Sequence, residues 1–82
     1  MKKGEVYKHF KGHIVYIVDI AADSETLEEV AIYHHLFNDD TKLWVRPVKM
    51  FFDDIDPNRD GNITKQNKRF IKIEELKDTQ VK

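Results

Sequence analysis

Five side chains in this sequence have the chemistry to recognise a ligand: Tyr7, His9, Tyr33, Trp44 and Arg46. Trp44 is the only tryptophan, and Arg46 follows it two positions later. Aromatic faces beside a guanidinium can clamp a flat ring, a proline-rich peptide, a methylated cation or a nucleobase. The competing role for the same residues is core formation, with polar tips left at the edge. One Trp, three Tyr and five Phe must be housed in 82 residues. So small a domain has few buried places for them, which argues for an accessible cluster.

Trp44 and Arg46 belong to residues 43–52, LWVRPVKMFF. Pro47 fixes its own φ, pushes Arg46 towards extended geometry and cannot donate to a ladder. A short strand running into a proline-started turn is the simplest backbone for this segment. On that strand Trp44 and Arg46 share one face, and Leu43 and Val45 take the other.

Other chemistries are weaker. Asp56, Asn58, Asp60, Gly61 and Ile63 fill positions one, three, five, six and eight of an EF-hand calcium loop. Position twelve should be a bidentate carboxylate and is Asn67, and Pro57 is unusual at position two. Calcium binding through 56–67 is therefore an alternative to a loop whose Asp, Asn and Gly serve turn geometry. The four histidines, His9, His13, His34 and His35, show no HExxH or other ligand-spaced pair. On a strand His34 and His35 point to opposite faces. Ser24 is the only serine and has Asp23 and Glu25 as neighbours, not a positioned histidine. Adjacent Asp53 and Asp54 give no glycosidase-like geometry, and three scattered glycines make no phosphate loop. No catalytic residue and no cofactor is assigned.

The elements that must position these residues are short strands. The run 13–20, HIVYIVDI, has strand composition, with Val15, Ile17 and Asp19 on one face and Ile14, Tyr16, Val18 and Ile20 on the other. Before it, VYKHFKG reads as a first strand closing on a turn at Lys11 and Gly12. Residues 21–37 carry conflicting signals. Thr26 and Glu29 have capping-box spacing, and Leu27, Val30 and Ala31 follow a helical stripe, while Val30, Ile32 and Tyr33 suit a strand. The reading is a turn at 24–28 and a strand over about 30–36, with a helix as the alternative. Residues 37–42 are turn material, 56–67 form the longest polar loop, 69–73 alternate as a last strand, and 74–82 make a charged tail. One small mainly β domain over 1–82 is expected: a strongly bent sheet or small SH3-like barrel of about five strands with one short helical turn.

Charge limits the partners. The net charge is −1, from 14 basic and 15 acidic residues, so no overall field draws the chain to nucleic acid or a membrane. Two local basic groups, around Lys8 and Lys11 and around Lys65, Lys68, Arg69 and Lys72, flank an acidic middle and suit either a phosphate-facing surface or a mixed solvated exterior. No cysteine is present, no apolar run approaches the ~18 residues of a membrane span, and MKKGEVYKHF lacks a signal-peptide apolar region. A cytoplasmic setting is expected.

The ordered motifs resemble a small bacterial family known only as domain of unknown function 1653. Its pattern is matched by Tyr7, His9, Phe10, Lys11 and Gly12, then by Ala21, Ser24, Glu25 and Thr26, and then by Trp44, Val45, Arg46, Pro47, Met50 and Phe51. Tyr16, Tyr33 and Leu36 match between these motifs. Asp23 stands where the family usually has His, and the resemblance covers roughly residues 4–55, leaving the 56–67 loop outside. The resemblance implies a compact SH3-like β architecture and no assigned activity. The site hypothesis built on it pairs Glu25 with Arg46 near Trp44, Tyr7 and His9, the alternative being that this pair merely pins a turn to the sheet. The expected function is a non-catalytic binding module for a peptide or nucleotide-like ligand. The rival is a small enzyme or accessory domain using His9, Glu25 and Arg46 on a phosphate or acyl group.

Overall fold

A computed structural model describes residues 1–37, 39 and 41–73; the tail assigned to 74–82 lies outside the described residues. Five strands and one turn of helix follow in order: β1 Val6–His9, β2 Ile14–Ala22, β3 Glu29–Leu36, β4 Trp44–Pro47, α1 Val48–Phe51 and β5 Phe70–Lys72. The strands form one sheet of order β4-β3-β2-β1-β5, and every pairing is antiparallel. The segment with conflicting signals is strand, and Thr26 has no helix to cap: its Oγ1 accepts the Glu28 N–H at 3.2 Å within the turn.

The sheet is not closed into a barrel, since the edge strands β4 and β5 share no ladder. It is nevertheless strongly bent. Laid flat, the outer strands of a five-stranded sheet lie roughly 19 Å apart. Here the Arg46 guanidinium on β4 stands 5.6 Å from the Phe70 ring centroid on β5.

Register decides which side chains meet on the inner face of the bend. Tyr7 faces Val15, Val15 faces His35, Ile17 faces Tyr33, Tyr33 faces Trp44, and Ala31 faces Arg46. On the other flank His9 faces Phe70. The alternation expected along β2 breaks once, at a bulge between Ile17 and Asp19. The extra residue sends Asp19 outward opposite Ile32 and brings Ile20 inward opposite Ala31, the reverse of simple period-two counting.

The core is the inner face plus α1. Tyr7, Val15, Ile17, Ala31, Tyr33, Phe51 and Phe70 form one buried cluster. Phe51 fills the bend: its ring stacks on Phe70 at 4.1 Å and meets Tyr7 and Tyr33 edge-on at 5.6 and 5.5 Å. Pro47 ends β4 at φ −53° and hands the chain to α1, as expected of a proline-started turn.

Two connections shape what lies beside the sheet. At the β1–β2 turn Gly12 adopts φ +97°, where a side chain would be strained. The loop after α1 folds back over this turn. Its Asn62 and Gln66 are buried, and Gln66 Nε2 donates to the backbone carbonyls of Lys8 and Lys68 at 3.2 Å each. Asn62 donates to the carbonyls of Asp56 and Gln66, and Asp56 Oδ1 accepts the Asn58 N–H. Asp56 of the calcium-like motif and the neighbouring Asn62 thus bond within their own loop. Among the described residues no group of three or more His, Asp or Glu could hold a metal ion, and no helix is long and apolar enough to cross a membrane.

Candidate functional site

Bending the sheet leaves a cleft of about 340 Å³ between its inner face, the β1–β2 turn and the long loop. Among the described residues its lining includes Arg46, Arg59, Arg69 and Lys11, and no carboxylate. His9, His13 and His35 line it as well. Trp44 stands at one end, 41% exposed and so accessible to a ligand.

The rings run as a continuous row. Centroid separations are 6.0 Å from Trp44 to His35, 5.5 Å from His35 to His13, 5.9 Å from His13 to His9 and 4.3 Å from His9 to Phe10. Strand alternation explains most of the row. Trp44, His35 and His9 all occupy inward positions of adjacent ladders, and His13 and Phe10 border the β1–β2 turn.

Arg46 is held from two sides. Its Nε donates to Tyr33 Oη at 3.4 Å, and its guanidinium lies over Phe70. Tyr33 is 5% exposed, so it orients Arg46 from below and offers a ligand little surface of its own. His9 is half-buried in the middle of the cleft. Its Nδ1 accepts the Lys11 N–H at 3.1 Å, which leaves the ring proton on Nε2. Burial, and then the positive charges of Arg46, His13, Arg69 and Lys11, hold its pKa down at about 4. At neutral pH His9 is an uncharged N–H donor in a positive field.

Of the six residues proposed from the sequence, His9, Tyr33, Trp44 and Arg46 line this cleft. Tyr7 shares their face of the sheet but is 2% exposed, covered by Phe51 and Phe52. Its hydroxyl donates to Glu5 Oε1 at 3.0 Å. Burial opposes ionisation of Glu5, yet the Lys72 ammonium, the Lys2 N–H and this hydroxyl outweigh it and hold the carboxyl at about 2. Tyr7 therefore works as a core residue anchoring an ion pair. Glu25 lies in the exposed turn beyond Ala22 and Glu29, outside the cleft, and forms no pair with Arg46. The Asp23 carboxylate organises that turn by accepting the N–H groups of Glu25 and Thr26 at 2.8 and 3.2 Å.

Sequence reasoning did not place Phe10, His13, His35, Arg59 and Phe70 in the site, and it named Lys11 and Arg69 only as members of two basic groups that could face phosphate. For His35 the signal was present, because it stands two positions after Tyr33 and shares its face. For Arg59 there was none, since only the folded loop brings it to the cleft.

A family model described as "Protein of unknown function (DUF1653)" matches residues 5–72. The chain belongs to the DUF1653 family. That span is wider than the motif resemblance, which stopped near residue 55: the DUF1653 match takes in the 56–67 loop and β5. The structure supplies the reason, because both close the cleft and bury residues against β1. No curated protein and no solved structure matches the chain.

Proposed function

We propose that this DUF1653 domain is a non-catalytic binding module whose cleft takes a flat, anionic, nucleotide-like ligand. One observation carries the reading: guanidinium, ammonium and imidazole groups converge with an accessible indole in a cleft that no described carboxylate lines. That lining disfavours methylated cations and basic peptides, which need negative charge or an aromatic cage without competing arginines. It suits a ring that packs at Trp44 beside Arg46 while the ligand's negative charge lies among the cations of the cleft. The bent sheet, with β5 returning beside β1 and one turn of helix before it, is read as an open SH3-like scaffold for this cleft.

The catalytic alternative needed His9, Glu25 and Arg46 within reach of one another. Glu25 sits elsewhere, and His9 has its Nδ1 engaged by backbone, so nothing in the cleft favours that reading.

The sole tryptophan makes the test direct. Titration with adenosine monophosphate is expected to change Trp44 fluorescence saturably, and Arg46→Gln to weaken binding by about tenfold or more, the size of a lost charge-assisted hydrogen bond. An emission spectrum indifferent to purine and pyrimidine nucleotides alike at millimolar concentration ends the proposal.

A further inference from the structure

Three cations gather around a single buried ring at the loop end of the cleft. The guanidinium carbons of Arg59 and Arg69 lie 5.1 and 5.9 Å from the Phe10 centroid, and Lys11 Nζ lies 5.9 Å from it. Like charges held around one ring repel, and burial of Phe10 at 1% exposure removes the water that would screen them from below. Little counter-charge is supplied. The nearest described carboxylate is that of Asp53, whose Oδ2 is 3.7 Å from Arg69 Nε, beyond hydrogen-bond distance. Arg69 Nε is buried and donates to no described group. Lys11 and Arg59 form no ion pair among the described residues.

The backbone that presents these cations is tied down. Phe10 N–H donates to the Arg69 carbonyl at 3.0 Å, and Thr64 Oγ1 donates to the Phe10 carbonyl at 3.3 Å. Arg59 N–H donates to the Asp56 carbonyl at 2.9 Å, and the Arg59 carbonyl accepts from Asn62 N–H at 2.9 Å. Asn62 is 3% exposed, so a buried amide fixes the turn that carries Arg59. Ordering of this kind is more than a solvated basic surface requires.

We infer that Lys11, Arg59 and Arg69 form a subsite for a phosphate monoester. This rests on the function proposed above, and it places the ligand's phosphate at the loop end and its ring at the Trp44 end. A phosphate monoester brings close to two negative charges and three acceptor oxygens, which guanidinium forks bind through paired N–H bonds. A carboxylate brings one charge and two oxygens and leaves two of the three cations uncompensated, where the monoester leaves about one. His9, with its centroid 4.3 Å from Phe10 and 4.8 Å from Phe70, lies between the two ends and offers its Nε2–H to the sugar-length linker joining them. The depressed His9 pKa has Arg69 and Lys11 among its causes, consistent with a positive potential reaching the middle of the cleft.

The test uses the whole chain with inorganic phosphate, adenosine and adenosine monophosphate as probes. Amide chemical shifts report on the loop end, and Trp44 fluorescence reports on the other. Phosphate is expected to move the amide signals of residues 11, 59 and 69, where chloride of equal ionic strength does not. Adenosine monophosphate is expected to bind at least about tenfold tighter than adenosine, as one charge-assisted hydrogen bond requires. The double variant Lys11→Gln, Arg59→Gln changes two exposed side chains. It should abolish the phosphate shifts and bring the nucleotide to within about twofold of adenosine, with adenosine affinity unchanged. Equal binding of adenosine and its monophosphate to the wild type, or phosphate shifts that survive in the double variant, overturns the subsite and leaves the ring site standing. Phosphate shifts at the three amides with no Trp44 response to either adenosine probe overturn the function proposed above and leave the subsite standing.

Discussion

Two polar segments built from turn-forming residues do different work in this molecule. The turn at 23–28 carries Asp, Ser and Thr, and the loop at 56–67 carries Asp, Asn, Thr and Gly. In the first, Asp23 accepts two N–H groups from its own turn, and every residue from 23 to 28 is exposed. In the second, Asn62 and Gln66 are buried and bond to backbone as far away as Lys8. The first closes a hairpin. The second is a wedge that holds Arg59 and the β1–β2 turn against the cleft. Turn chemistry alone does not separate a cap from a wedge; burial of the amide does.

The largest effect expected from breaking this contrast is Asn62→Ala. The side chain donates to the Asp56 and Gln66 carbonyls and accepts the Gln66 N–H, and its Oδ1 shares the Thr64 hydroxyl proton with the Phe10 carbonyl. Removing it strands buried backbone groups, at an expected cost of about 3 kcal/mol in chemical denaturation. Ligand affinity should fall with it, because Arg59 loses its fixed turn. A cost indistinguishable from that of an exposed turn substitution shows that the loop does not act as a wedge.

An intermediate effect is expected on acidification, through His9. Its pKa is about 4 in the folded chain against an ordinary 6.5. Between these values the unfolded chain binds more protons, so its contribution to stability is complete above pH 6.5 and is lost as pH falls towards 4. Glu5, at about 2 against 4.5, contributes its own loss only below pH 4.5. The window from 6.5 to 4.5 therefore belongs to His9 among the groups with shifted pKa values. Denaturation midpoints should decline across it in the wild type and level out in His9→Gln. Parallel curves for the two proteins reject the assignment.

These contrasts also mark where the sequence was informative. Alternation placed Trp44 and Arg46 on one face, and the Gly12 turn and the turn started by Pro47 followed from local residue chemistry, while the strand expected over about 30–36 had to be chosen against a competing helical stripe. Long-range geometry was not local information. Tyr7 is buried because β1 lies between β2 and β5 beneath Phe51, a consequence of strand order. The bulge after Ile17 depends on matching two strands, so period-two counting put Asp19 and Ile20 on the wrong faces. Glu25 and Arg46 belong to neighbouring motifs, but the β3–β4 register sets Arg46 opposite Ala31 and directs it to Tyr33 and Phe70. Arg59 reaches the cleft only through the folded loop, and Arg69 and Phe70 reach it only because β5 returns beside β1.

Asp23→Ala sharpens the comparison from its weaker side. Both bonds it loses are at the surface, where water replaces the carboxylate, so the loss of stability should be well below that of Asn62→Ala. The cleft should not notice: nucleotide titration of Trp44 should give the wild-type affinity. The turn also pairs with α1 through Glu28 and Lys49 at 3.0 Å, an exposed contact too weak to carry the change further. Reduced ligand affinity in this variant indicates that the hairpin tip communicates with the cleft.

The smallest effect, none, is expected from calcium, and it tests the wedge against the EF-hand reading of the same residues. A site that binds the native state raises the melting temperature as the cation reaches and passes its Kd. Asp56 Oδ1 is already an acceptor for Asn58 N–H, and the Asn62 amide is turned inward to the Asp56 and Gln66 carbonyls. Recruiting this loop to calcium means breaking bonds that hold it against β1, and the missing carboxylate at Asn67 offers no compensation. Melting curves with and without millimolar calcium should superimpose. A rise that saturates with calcium, and that Asp60→Asn removes, shows instead that the loop rearranges around a cation and that its inward amides are one of two states.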